Sequence, residues 1–252
     1  MSRFPHTQVS FEEYVKLEPT GGAGARQQLV LVPVGRFPVS AARLLEVLRS
    51  FTEVYFDTPT RVAPHLPFPA LERRTRVRGG RQYTQYRTSA ILDRLLAPRL
   101  PRDAICLLGI TFDDLYPEPR WNYAFGEATL DERVGVYSLA RLFRDFRLPP
   151  ASPDSDRLGL ERSLKVLGHE TGHMFSLHHC RTHECLMNGS NSLDETDRSP
   201  LYLGPHCLKK LQYNLRFDIL SRYHRLQSFY ASHGLAEHAT WVAQRLQRLG
   251  PL

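Results

Sequence analysis

Between Gly168 and Asn191 the sequence reads GHETGHMFSLHHCRTHECLMNGSN, with histidines, a glutamate and cysteines spaced for metal chemistry. Residues four apart on a helix share a face, so His169 and His173 project side by side. Two imidazoles placed that way reach one Zn2+ at about 2.0–2.1 Å. Glu170 lies one step round, offset from the ligand positions but close enough to hold a water at the metal. This is the H-E-x-x-H arrangement of zinc-dependent peptidases. The metal acidifies the water and polarises the scissile carbonyl, and Glu170 passes the water proton to the leaving amine. The third ligand has to come from beyond the helix, so the chain must stop and bend back after His173. His179 then completes a three-histidine set with an open fourth position, which a catalytic zinc needs and a structural zinc avoids. His178 competes for that place; the spacing favours His179. His183 reads as a solvent-facing or supporting side chain.

Three of the four cysteines, Cys180, Cys185 and Cys207, follow the histidines. In a reducing compartment clustered thiols bind metal more often than they form disulfides. Cys106, alone in DAICLLGITF, reads as a small core residue.

These residues need a scaffold. The chain has 252 residues, 42% of them hydrophobic, which suits a globular core and excludes general disorder. No run approaches the ~20 apolar residues of a membrane span, and the N-terminus has no apolar signal core, so a cytoplasmic protein is expected. The formal charge of +7 comes from scattered arginines and reads as a solvated basic surface. Nucleic-acid binding is disfavoured, because Cys180-x4-Cys185 lacks the paired histidines of a zinc finger.

The expected organisation is a flexible N-terminal arm over 1–26, a catalytic domain over 27–230 and a helical extension over 231–252. QQLVLVPVG is a buried strand, SAARLLEVLRSF a helix capped by Ser40, and EVYFD a second strand, parallel to the first. Residues 57–82, rich in Pro and Arg, are expected to be loop. TSAILDRLLAP is a short helix ended by Pro98, DAICLLGITF the central strand, and WNYAFGEATLDERVGVYS a strand pair around LDER. RLGLERSLKVLGHETGHM is a helix with Leu160, Leu164, Leu167 and Met174 on its buried face. The stretch from Leu208 to Tyr230 is one long amphipathic helix, and EHATWVAQRLQRL a last one.

The stretch HETGHMFSLHHCRTHECLM resembles the archaemetzincins, a branch of the metzincin peptidases with an H-E-x-x-H-x-x-G-x-x-H motif and a methionine turn. LGITFDDLYP, WNYAFGEA, VYSLARL and YLGPHCLKKLQ are similar to further motifs of that family. The resemblance covers roughly residues 27–230. It implies an α/β, zincin-like fold: a twisted mixed sheet of about five strands with an antiparallel edge strand, packed on an active-site helix and a C-terminal helix. It also implies hydrolysis of peptide bonds, with a peptide or protein substrate added along the edge strand near Tyr123–Ala128. Met187 would floor the zinc site without ligating.

Two positions depart from the family pattern. Ser176 stands where the motif has glycine, whose left-handed backbone lets the third histidine turn back; serine there costs roughly 1 kcal/mol. Gly204 stands where the family places a fourth cysteine for a second, structural zinc. Cys180, Cys185 and Cys207 match the other three. His206, or His183 with more strain, could complete that set; otherwise the cysteines are buried without metal. Both outcomes stay open, as does a non-catalytic zinc- and peptide-binding module in place of an enzyme. The intact Glu170 argues for catalysis.

Overall fold

The computed structural model describes residues 9–22 and 25–250. A five-stranded sheet in the order β2-β1-β5-β8-β7 forms its centre. The strands are β1 (Gln28–Pro33), β2 (Thr60–Val62), β5 (Ala104–Thr111), β7 (Gly126–Ala128) and β8 (Val134–Ser138). All pair in parallel except β7, which runs antiparallel to β8 at one edge. The sheet is covered on both faces, which explains why β1 and β5 are almost wholly apolar. Leu29, Leu31, Cys106, Leu108 and Ile110 point into a core shared with the long helices. Val30, Val32, Leu107 and Val136 point the other way, onto Ile91, Leu92, Leu95 and Leu96. Those four belong to a helical run that starts as α3 (Thr88–Ile91), continues as a π-helical turn over Leu92–Leu96 and ends in a tight 3-10 turn over Ala97–Arg99.

The fold is α/β with the mixed sheet and antiparallel edge strand expected. Several local expectations are corrected. EVYFD is not a strand: α2 spans Ala42–Phe56, and Leu48, Phe51, Thr52, Tyr55 and Phe56 continue one buried helical stripe. Asp57, at φ 50°, ends the helix, and the parallel strand begins later as β2. Ser40 does not cap α2; it lies inside a 3-10 turn over Val39–Ala41. Residues 57–82 are loop only in part, chiefly over 63–72. After β2 they form β3 (Arg73–Arg78) and lead into β4 (Arg81–Arg87), an antiparallel pair closed by Gly79 and Gly80. Both glycines have positive φ, as a two-residue hairpin turn requires. The arginines suit β3 because it is the exposed edge of a second sheet, β3-β4-β6, with β6 at Asp114–Tyr116.

The long C-terminal helix is two helices, α6 (Pro205–Leu215) and α7 (Ile219–Ser232). Arg216 takes a left-handed φ of 59° and Asp218 caps α7 through Ser221 N–H at 2.7 Å. The last helix, α8 (Ala236–Leu249), packs on α7, with Trp241 stacked on Tyr202 at 4.1 Å. Within the segment expected as an arm, Phe11–Lys16 form α1, whose Tyr14 is completely buried. Residues 1–8 of that segment lie outside the described residues. No helix of the described residues is long and apolar enough to cross a membrane.

Candidate active site

The helix that carries the site, α4, spans Arg157–Met174 and is capped by Asp156, whose carboxylate accepts Gly159 N–H at 2.8 Å. Its leucine stripe is buried, α4 packs on the sheet, and helical periodicity puts His169 and His173 on the other side of the helix. The chain leaves the helix at Phe175 and reverses at Ser176, whose φ of 62° is the left-handed conformation expected at the motif glycine. That reversal delivers His179. The ring nitrogens of His169, His173 and His179 lie together as one group able to hold a metal ion; His178 is not part of it.

Second contacts fix how the rings face. His169 Nδ1 donates to the Leu186 carbonyl at 2.9 Å and His173 Nδ1 to the Leu177 carbonyl at 2.7 Å. A carbonyl only accepts, so each Nδ1 carries the hydrogen and each Nε2 presents a lone pair. His169 Nε2 lies 3.0 Å from His173 Nε2 and 3.3 Å from His179 Nε2. Nitrogens about 2.05 Å from a tetrahedral zinc stand roughly 3.3 Å apart, so the spacing fits that ion. Lone pairs facing one another this closely repel, and a cation between them removes the repulsion. Burial lowers the pKa of His169; burial and the neighbouring rings of His169 and His179 lower that of His173 further. Both shifts favour the neutral form that a metal ligand must have.

Glu170 is buried beside this group, and its Oε2 has no hydrogen-bond partner. Burial, then the nearby Glu127 carboxylate, raises its pKa well above the usual carboxylate value. An orphaned carboxylate oxygen in the same cleft as three convergent imidazoles fits a site built for a further polar occupant. Met187 is fully buried. A Cβ at Gly172 would stand 2.5 Å from its sulfur, so glycine lets the methionine turn pack directly on α4.

A cleft of about 670 Å³ opens over the site. One wall is Tyr123–Glu127, running into the edge strand β7; the other is Asn188–Asn191 with Ser199. The expected edge strand thus borders the histidine group, and β7 pairs with β8 on one side only.

Comparison with known proteins agrees with this geometry. The sequence model of a family described as Peptidase family M54 matches residues 79–213. The chain is 32% identical to archaemetzincin-2 of Rattus norvegicus, over 90% of this chain and 70% of that protein. It is 36% identical to archaemetzincin-2 of Macaca fascicularis, over 77% of this chain and 60% of that one. The chain belongs to peptidase family M54, the archaemetzincins. Among solved structures, the archaemetzincin of Methanopyrus kandleri superposes with a TM-score of 0.58 at 34% identity, covering 78% of this chain and 99% of that chain.

This archaemetzincin also brings its three clustered cysteines together. Cys180, Cys185 and Cys207 converge as a second metal-competent group, all three buried. His206 does not join them. It neighbours Cys207 on α6, and consecutive helical residues point about 100° apart. Its ring is exposed and lies 4.8 Å from that of His183, which is not in the thiol group either. Gly204 N–H donates to Cys185 Sγ at 3.1 Å, and Met187 N–H does so at 3.4 Å. Hydrogen bonds from the other two thiols lower the pKa of Cys180, while donation to Cys180 pushes Cys185 up to about 11. No disulfide joins any of the four cysteines. Cys106 is a core residue whose thiol faces the Met174 carbonyl at 3.6 Å.

Proposed function

We propose that this archaemetzincin is a zinc-dependent metallopeptidase, with His169, His173 and His179 as the metal ligands and Glu170 as general base. The supporting observation is the convergence of three Nε2 atoms beside the unpartnered Glu170 oxygen, inside a cleft bordered by a sheet edge. When bound, the ion supplies Lewis acidity to the reacting carbonyl and to water. Leu186 and Leu177 orient two of the imidazoles by accepting from Nδ1. Glu170 takes a proton from water at Oε2 and returns it to the leaving amine. An extended peptide adds to the free edge of β7, its backbone pairing with Gly126–Ala128. The four free thiols suit a cytoplasmic, reducing setting.

The three clustered thiols are proposed as a second, weaker zinc site with three protein ligands. The primary test compares wild type with Glu170→Ala on a peptide library. Wild type should cleave and the variant should not, with equal zinc in both. A zinc-loaded wild type that cleaves nothing would instead identify a non-catalytic peptide-binding module.

A further inference from the structure

We infer that the N-terminal segment 9–22 braces the turn that delivers the third histidine, and that Ser176 is the positioning residue through which it acts. This rests on the reading of His173 and His179 as metal ligands. A serine at φ 62° holds a backbone conformation that favours glycine, and the structure shows what its side chain adds. Ser176 Oγ donates to the Leu130 carbonyl at 2.8 Å and accepts Thr20 N–H at 3.3 Å. One hydroxyl thereby ties the metal turn to the β7–β8 connection on one side and to the N-terminal segment on the other. Glycine could make neither bond.

The neighbouring residue is held from the same side. Phe175 ends α4, where carbonyls lack helical partners. Its carbonyl accepts the hydroxyl of the buried Tyr14 at 2.8 Å. The segment is itself fastened to α6: Asn214 Nδ2 donates to Tyr14 Oη at 3.2 Å and to the Thr20 carbonyl, and Lys210 Nζ donates to the Val9 carbonyl. Next along the chain is Leu177, whose carbonyl orients His173, and then the bend to His179. Fixing Phe175 and Ser176 therefore fixes the orienting acceptor for the second histidine and the path to the third.

The test uses the full chain with Ser176→Ala, Tyr14→Phe and the double variant. Ser176→Gly, which removes the hydroxyl while relaxing the backbone, guards against misfolding of the alanine form. Zinc affinity at the histidines is read by chelator competition, and Co2+ absorption reports the ligand geometry. Each single variant should weaken zinc roughly five- to ten-fold, the range for one or two lost hydrogen bonds. The double variant should lose less than the product of the two, because both act on one turn. In the metal-free protein, the ring 15N shifts of His173 and His179 should change in the variants. Folded variants with wild-type zinc affinity and unchanged ring shifts, whatever their Tm, would overturn the brace. If wild type binds zinc no better than His173→Ala, the metal reading fails, and the metal-free ring shifts still decide the brace on their own.

Discussion

Gly126 of the edge strand lies directly against the carboxyl of Glu170: a Cβ there would stand 2.7 Å from its Cγ, Cδ and Oε1. No real Cβ sits that close, so Gly126→Ala must swing the carboxyl out of place. The three atoms nearest that Cβ position all belong to Glu170, so the histidines should keep their metal. The expected outcome is a fall in peptide hydrolysis of about 100-fold, the lower range for losing a placed general base, with unchanged zinc content. Parallel assays of activity and bound metal on one preparation check both halves. Full activity in the variant would mean that Glu170 is free to relocate.

The histidine group was legible in the sequence because helical spacing is a local property: His169 and His173 share a face whatever surrounds them. The reversal at Ser176 was legible through the resemblance, whose motif places a glycine there for its left-handed backbone, and serine accepts that conformation at moderate cost. Glu53–Phe56 misled because Val, Tyr and Phe favour strands, yet the buried stripe of α2 runs on through Tyr55 and Phe56. The arginines of β3 hid a hairpin whose Gly79-Gly80 turn was available as a signal. Long-range partners had no local sign. Neither the hold of Tyr14 on Phe175 nor that of Leu177 on His173 follows from spacing.

The acid limit of stability should depend on Glu161. Burial pushes its carboxyl up, but hydrogen bonds from His238 and Lys165 outweigh that and bring it down to about 2. A carboxylate depressed in the folded state contributes stability that is present above its ordinary value of 4.5 and lost as pH falls toward 2. The full shift corresponds to roughly 3 kcal/mol at most. Lys165 in turn donates to the carbonyls of Thr196 and Asp197, so the pair also ties α4 to α5 (Leu193–Arg198) at the cleft wall. Thermal unfolding of Glu161→Gln should show a lower Tm than wild type at neutral pH, and the gap should close between about pH 5 and pH 2. A gap that stays constant with pH would assign the contribution to packing.

Restoring a fourth thiol should strengthen the second metal site. Gly204 has φ −63°, a conformation open to any residue, so cysteine meets no backbone objection. Its Cβ would lie 3.4 Å from Cys185 Cβ and 3.0 Å from His183 Cβ, close to the thiol cluster but tight against the 183–185 turn. After dialysis against a mild chelator, wild type should retain about one zinc per chain and Gly204→Cys about two, since four thiolates close a structural site. Elemental analysis of the two proteins side by side reads this directly. Equal retention would show that three thiolates already hold the ion, or that the turn cannot admit the new side chain; a Tm below wild type in the variant separates the second case from the first.

The cleft rim hangs on Asp114. Its side chain is fully buried and takes both Nε and Nη2 of Arg141, at 2.8 and 2.6 Å, together with Gln85 Nε2 at 2.7 Å. Those partners carry the rim: Gln85 also donates to the Asn122 carbonyl at 3.0 Å, and the Arg141 guanidinium lies 4.0 Å over the Tyr123 ring. Asp114→Ala leaves the arginine charge without its buried partner, a change worth about 3–5 kcal/mol of stability. Asp114→Asn keeps the shape and one acceptor, and should cost less. On the proposed reading the rim positions substrate and holds no metal ligand, so the asparagine variant should raise KM several-fold while kcat and zinc content stay near wild type. Steady-state kinetics separates the two constants, and a fall in kcat at unchanged KM would move Asp114 from holding the rim to supporting the catalytic carboxylate.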